Sequence, residues 1–160
     1  MSTDETAGSG PLSFQVTVDC GDPHRLSRFW ATALRYEVEH RDAQIRELMA
    51  AGIATADDAI EFEGELAWRT GAAIRRPAEG PRSGAFRVLF LGVPEPKTVK
   101  NRWHLDLNVT VRGEEGAHQR VEAEVGRLRE LGATELYRID SVEGFHVTMA
   151  DPEGNEFCVQ

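Results

Sequence analysis

The sequence predicts an α+β protein made of two copies of a β-α-β-β-β module, and three observations carry that reading. The segments Phe14-Gln15-Val16-Thr17-Val18-Asp19-Cys20 and Trp103-His104-Leu105-Asp106-Leu107-Asn108-Val109 share one polar-on-apolar pattern. Strict alternation of this kind is the period-two signature of a half-buried strand. Each segment is soon followed by an amphipathic helical stretch of similar length, so the strand-then-helix unit recurs. Between the copies lies Val93-Pro94-Glu95-Pro96-Lys97, which cannot continue an interior strand because proline donates nothing to a ladder. It divides the domain expected over 12–160 into modules of about 12–95 and 100–160.

The elements follow in order. Residues 1–11 are acidic, small and glycine-rich, and are expected to be a disordered tail. Asp22 suits the cap of a first helix and Pro23 its first position, with Leu26, Phe29, Trp30, Ala33 and Leu34 at helical spacing. Tyr36–Glu39 reads as a short strand. From Arg41 to about Pro81 an insertion is expected, with a short helix around Ile45, Leu48 and Met49 stopped by Gly52. Glu65–Arg69 and Ala72–Arg75 read as two edge strands or one interrupted strand, and Pro77–Pro81 as a loop. Phe86–Val93 is apolar on both faces, which fits a central strand. In the second half, Ala117, Val121, Val125, Leu128 and Leu131 form a helical stripe ended by Gly132. Strands at Thr134–Ile139, Phe145–Ala150 and Glu156–Gln160 complete the module, the last two joined by Asp151-Pro152-Glu153-Gly154-Asn155.

Composition excludes several functions. A chain of 160 residues with 41% hydrophobic and 28% charged residues can bury a core without metal or disulfide staples. Its net charge of −9 argues against nucleic acid or an anionic membrane as partner, since both need a basic footprint. Cys20 and Cys158 are too isolated to form a disulfide framework or zinc knuckle. No apolar run reaches membrane-helix length, and the N-terminus is unlike a signal peptide, so a cytoplasmic location is expected.

Function is sought on the polar strand faces. If helices cover Phe14/Val16/Val18 and Trp103/Leu105/Leu107, alternation leaves Gln15, Thr17, Asp19, His104, Asp106, Asn108, His146, Thr148 and Cys158 on the other side. A sheet that curls would place them in a cleft with a few convergent polar groups, the composition of a small-molecule site. Phe86, Val88 and Phe90 are expected as its apolar walls. His104 and Asp106, two residues apart, share one face, so the carboxylate can orient the imidazole. Trp68 beside Arg69 fits either a stacking platform for a planar ligand or a core-packed edge residue. Arg102, with Lys97 and Lys100, fits either an anion contact at the rim or a solvated linker. Cys158, with no flanking base, fits a buried inert thiol better than a nucleophile.

Three motifs give the chain a resemblance. Asp22-Pro23 before Phe29-Trp30, then Lys100-Asn101-Arg102-Trp103-His104-Leu105-Asp106-Leu107, and Asp151-Pro152-Glu153-Gly154-Asn155-Glu156-Phe157-Cys158-Val159 resemble the glyoxalase/bleomycin-resistance/extradiol-dioxygenase, or vicinal oxygen chelate, superfamily. The closest likeness is to its glyoxalase-like branch, and it covers roughly Leu12 to Gln160. The resemblance implies that the modules form a curved mixed sheet around a cleft, with the helices outside. Metal-dependent members take one ligand from the first and one from the fourth strand of each module. Carried over by position, these fall on Gln15, about Phe90, His104 and Cys158, with Glu156 on Cys158's face two residues away. Phe90 cannot bind a metal and Cys158 stands where a carboxylate is expected, so no metal cofactor is expected. If a divalent metal is present, its ligands are expected to be His104, Gln15 and Glu156.

Three functions follow as expectations. The first is a small-molecule-binding protein with a degenerate or absent metal centre, sequestering a metabolite or antibiotic. Its ligand contacts would be Gln15, Trp68, Phe90, Arg102, His104, Asp106, His146 and Cys158. The second is a metal-dependent lyase, isomerase or dioxygenase, and the third a non-catalytic interaction module. The expected partners are a small-molecule ligand and, for the assembly, a second copy in a homodimer.

Overall fold

The computed structural model describes residues 14–77, 86–111, 113–141 and 144–160; the expected tail and residues 78–81 of the expected loop lie outside them. In chain order the elements are β1 (Val16–Cys20), α1 (Pro23–Leu34), β2 (Glu37–Val38), α2 (Asp42–Ala50), β3 (Ala59–Phe62), β4 (Glu65–Trp68), β5 (Gly71–Arg75), β6 (Arg87–Gly92), β7 (Asp106–Leu107), α3 (Ala117–Glu130), β8 (Thr134–Ser141), β9 (Gly144–Ala150) and β10 (Glu156–Val159). Two four-stranded mixed sheets result, in the orders β1-β6-β5-β2 and β7-β10-β9-β8. Each module is β-α-β-β-β, and the first carries α2 and the β3–β4 hairpin as its insertion.

The first helix begins as its sequence dictates. Asp22 Oδ1 accepts the Arg25 N–H at 3.0 Å, and Pro23 occupies the first turn, where no N–H is needed. The second module supports this end, because Glu153 accepts the N–H groups of Gly21 and Asp22, each at 2.8 Å. Asp22→Ala is expected to cost about 1 kcal/mol, read from the midpoint of a urea titration.

One apolar core joins the modules. Leu26, Phe29 and Trp30 of α1, Val88 and Phe90 of β6, Leu128 of α3, Met149 of β9 and Phe157 of β10 belong to a single buried cluster. Trp30 therefore does more than pack between α1 and its own sheet. Its ring meets Phe157 at 5.1 Å and its Nε1 donates to buried Asp151 at 3.0 Å, both on the second module.

Four expectations need correction. The strand expected over Trp103–Val109 contracts to Asp106–Leu107, which pair with Cys158 and Val159 at the C-terminal end of β10. Trp103 is consequently exposed rather than packed beneath a helix, and Phe14, ahead of β1, is exposed as well. Glu65–Trp68 is no strand of the main sheet: it pairs with β3, an element the sequence reading missed. The missed signal was Glu63-Gly64, whose φ values of 52° and 84° are those of a two-residue hairpin turn. Finally, Val88 and Phe90 face away from Gln15. In the register Val16 lies beside Val88 and Val18 beside Phe90, so both aromatic and aliphatic side chains point to the core.

Candidate functional site

Two parts of the molecule compose the candidate site: a cavity at the seam between the sheets and a row of polar groups on the open face of the second sheet. The cavity measures about 310 Å3. Val16, Val18, Leu34, Phe90 and Phe157 supply apolar wall, and Asn101, Arg102, Trp103 and His104 border it from the linker ahead of β7. The sequence placed Phe90 at the ligand, and it does border this cavity, although from the core side with 1% of its surface exposed.

The polar row follows from strand pairing. Cys158 lies beside Asp106 on one side and Thr148 on the other, and Thr148 beside Tyr137. Asp106 Oδ1 holds His104 Nδ1 at 2.8 Å. A carboxylate only accepts, so Nδ1 carries the proton and Nε2 of a neutral ring presents its lone pair. Next, the Cys158 thiol lies 3.6 Å from the Thr148 hydroxyl. Burial pushes the thiol pKa up, and the Asp106 carboxylate adds to the rise against the opposing Thr148 contact, so the sulfur keeps its proton. At the far end, Lys100 Nζ reaches the Tyr137 hydroxyl at 3.5 Å. Hydrogen bonding from Thr148 first, then Lys100, holds the Tyr137 pKa below the usual phenol range.

The expected contact residues divide among several places. His104, Asp106 and Cys158 converge, with their ligand atoms within 4.8 Å of one another. His146 lies on the same face of β9 as Thr148, beside Ile139 of β8. Arg102 borders the seam cavity, whereas Trp68 lines a different cavity beneath the β3–β4 hairpin. Gln15 is committed elsewhere: its Oε1 accepts from Arg87 Nη1 at 2.7 Å. Glu156 is committed too, because its Oε2 accepts from the Asn101 N–H at 3.0 Å and lies 3.1 Å from Lys97 Nζ. Burial acts to raise the Glu156 pKa, but the Asn101 N–H, Glu156's own backbone N–H and Lys97 outweigh it and the value falls below the ordinary carboxylate range.

That geometry bears on the metal ligands carried over by resemblance. A dication at Gln15 would meet the Arg87 guanidinium, which already holds the amide oxygen. Glu156 would have to abandon Lys97. The donors that come together are instead His104, Asp106 and Cys158, all on the second module. From the sequence Asp106 is expected as a ligand contact and to orient the imidazole, not as a metal donor. Its place among the donors was legible in the two-residue spacing from His104, but that of Cys158 beside it depends on strand register.

Paired β-α-β-β-β modules with this open polar face are the architecture of the vicinal oxygen chelate superfamily. A model of the glyoxalase-like domain matches residues 15–160, and the chain belongs to that family. A search of curated proteins finds no matching sequence. Among solved structures, the fosfomycin resistance protein FosX from Listeria monocytogenes, solved with Mn(II) and 1S,2S-dihydroxypropylphosphonic acid, is similar with a TM-score of 0.57 at 11% identity, covering 96% of this chain and 92% of its own. A glyoxalase/bleomycin resistance protein/dioxygenase family enzyme from Burkholderia phytofirmans is similar with a TM-score of 0.54 at 13% identity, covering 91% and 94%. A hypothetical protein from S. aureus is similar with a TM-score of 0.56 at 12% identity, covering 94% of each chain. At these identities the likeness shows a shared fold. Among the described residues, no helix is long and apolar enough to cross a membrane.

Proposed function

We propose that this glyoxalase-like protein binds a small, partly apolar molecule in the seam cavity, without a metal centre shared between the modules. The observation that carries this reading is the cavity itself, about 310 Å3 with apolar walls and with Arg102 and His104 at its border. Small-molecule sites begin at about 300 Å3 and combine apolar lining with a few orienting polar groups. Sequestration of a metabolite or antibiotic is the role such a site suits, and FosX, which shares the fold, is a fosfomycin resistance protein solved with a phosphonic acid.

A thermal-shift and NMR screen of small aromatic and heterocyclic compounds tests the proposal. Binders are expected to lose about tenfold in affinity in His104→Ala and in Arg102→Ala, each of which removes one orienting hydrogen-bonding group. Gln15→Ala is expected to leave affinity unchanged, because its amide is held by Arg87. Affinity that survives both of the first two substitutions would place the ligand outside this cavity.

One observation favours a second reading, a single metal ion on the second module. His104, Asp106 and Cys158 offer one nitrogen, one oxygen and one sulfur donor in one cluster. Such a mixed set suits zinc or another borderline ion better than hard manganese, and it leaves a coordination position open. Because the buried thiol must lose its proton to bind, affinity for the ion would rise with pH. Stoichiometric zinc in tag-free protein, lost in Cys158→Ser, would put this reading first and make a metal-dependent lyase, isomerase or dioxygenase the expected activity.

A further inference from the structure

The inserted α2 and β3–β4 hairpin enclose a second cavity of about 420 Å3 against the first sheet, and it shares no lining residue with the seam cavity. Its floor includes Leu89 and Leu91, which occupy the open face of β6, and the hairpin contributes Phe62 and Trp68. Buried His24 of α1 fixes the hairpin in place. Its ring lies 4.8 Å from that of Phe62, and its Nε2 donates to the Trp68 carbonyl at 3.0 Å.

Two guanidinium groups meet at one side of this cavity. Arg87 donates from Nε and Nη2 to the two Glu39 oxygens at 3.0 and 3.1 Å, and Arg41 Nη2 donates to the same carboxylate at 2.5 Å. The other partners of these two guanidinium groups are neutral amide oxygens, Gln15 for Arg87 and Gln44 for Arg41. Two permanent cations thus share one carboxylate at this side of the cavity. Of the acidic groups close by, Glu63 is paired with Arg28, and Glu65 is hydrogen-bonded to His40, which offsets its charge only when protonated. Each guanidinium has five N–H donors in a planar fork, more than these contacts use, and that fork matches a carboxylate.

We infer that this cavity is a second ligand site, taking a small molecule with an apolar body and one carboxylate. The carboxylate lies against Arg41 and Arg87, and the body between Leu89, Leu91 and Trp68. The inference is independent of what the seam cavity binds.

Amide NMR titration of the full chain with phenylbutyrate, and with phenylbutanol as its uncharged counterpart, tests it. Phenylbutyrate is expected to shift the Gly71, Ala73, Leu89 and Leu91 amides and the Trp68 indole in a saturable way. The alcohol is expected to bind about tenfold more weakly, and Arg41→Gln to weaken the acid by about tenfold while sparing the alcohol. Leu91→Glu, at a floor position 37% exposed and so tolerant of the change, is expected to abolish acid binding. Thermal melts of both variants verify that they remain folded. Equal binding of acid and alcohol, shifts centred on His104 in place of these, or no saturable shift at all would overturn the inference.

Discussion

Trp30→Ala is expected to destabilise the protein by about 3–5 kcal/mol, the usual cost of emptying a large buried aromatic site. That is a large share of the roughly 5–15 kcal/mol that holds a domain folded. The indole is 5% exposed and sits against Phe29 at 5.4 Å and Phe157 at 5.1 Å, so its removal opens a void between the modules. It also takes one donor from Asp151, which is 3% exposed. That carboxylate keeps the Glu153 and Asn155 N–H groups and the Asn155 side-chain amide, so the void dominates the loss. Trp30→Phe keeps most of the packing and isolates the hydrogen bond, at an expected cost of about 1–3 kcal/mol. Denaturant titration of the three proteins measures both, and a loss below about 1 kcal/mol for the alanine variant would show that the indole does not bridge the modules.

Arg127→Ala is the second large effect, expected at about 2–4 kcal/mol. Arg127, on α3, donates to the Thr32 and Ala33 carbonyls at 3.2 and 2.8 Å, adding side-chain partners at the C-terminal end of α1, where the Arg35 N–H also reaches Thr32. The same guanidinium holds Glu124, whose side chain is 9% exposed, at 2.6 Å. Its removal leaves that carboxylate largely buried with Arg35, at 3.1 Å, as its one charged partner among the described residues. The hydrogen bond from Arg127 is the first reason that the Glu124 pKa lies below its ordinary value. A depressed folded-state pKa stabilises above the unfolded value and ceases to do so as pH falls through the folded value. The gap between wild type and Arg127→Ala is therefore expected to narrow as acid protonates Glu124, leaving the smaller helix-end contribution. A gap constant from pH 7 down to pH 3 would assign the whole effect to the helix end.

Much of the fold is legible because its causes are local. Asp22-Pro23 specifies a helix start within one turn, Asp151-Pro152-Glu153-Gly154-Asn155 specifies a tight connection, and alternation specifies which residues of β9 and β10 share a face. Phe90 shows where such reasoning fails. The strand around it is apolar on both sides, so periodicity cannot say which side is the core; pairing with β1 decides it. Strand length is not read from alternation either: the pattern runs over Trp103–Val109, but only Asp106 and Leu107 pair, with Cys158 and Val159 of β10.

The candidate site divides along the same line. The sequence by itself determined the duplicated module, the family, and the pairing of His104 with Asp106, since two residues on one strand face need no other element to meet. Only the tertiary structure decided that Cys158 joins them, that Gln15 is held by Arg87 and Glu156 by Lys97, and that Trp68 belongs to a separate cavity under the hairpin. These partners lie tens of residues apart along the chain. Strand register and sheet packing bring them together, and neither leaves a local trace in the order of amino acids.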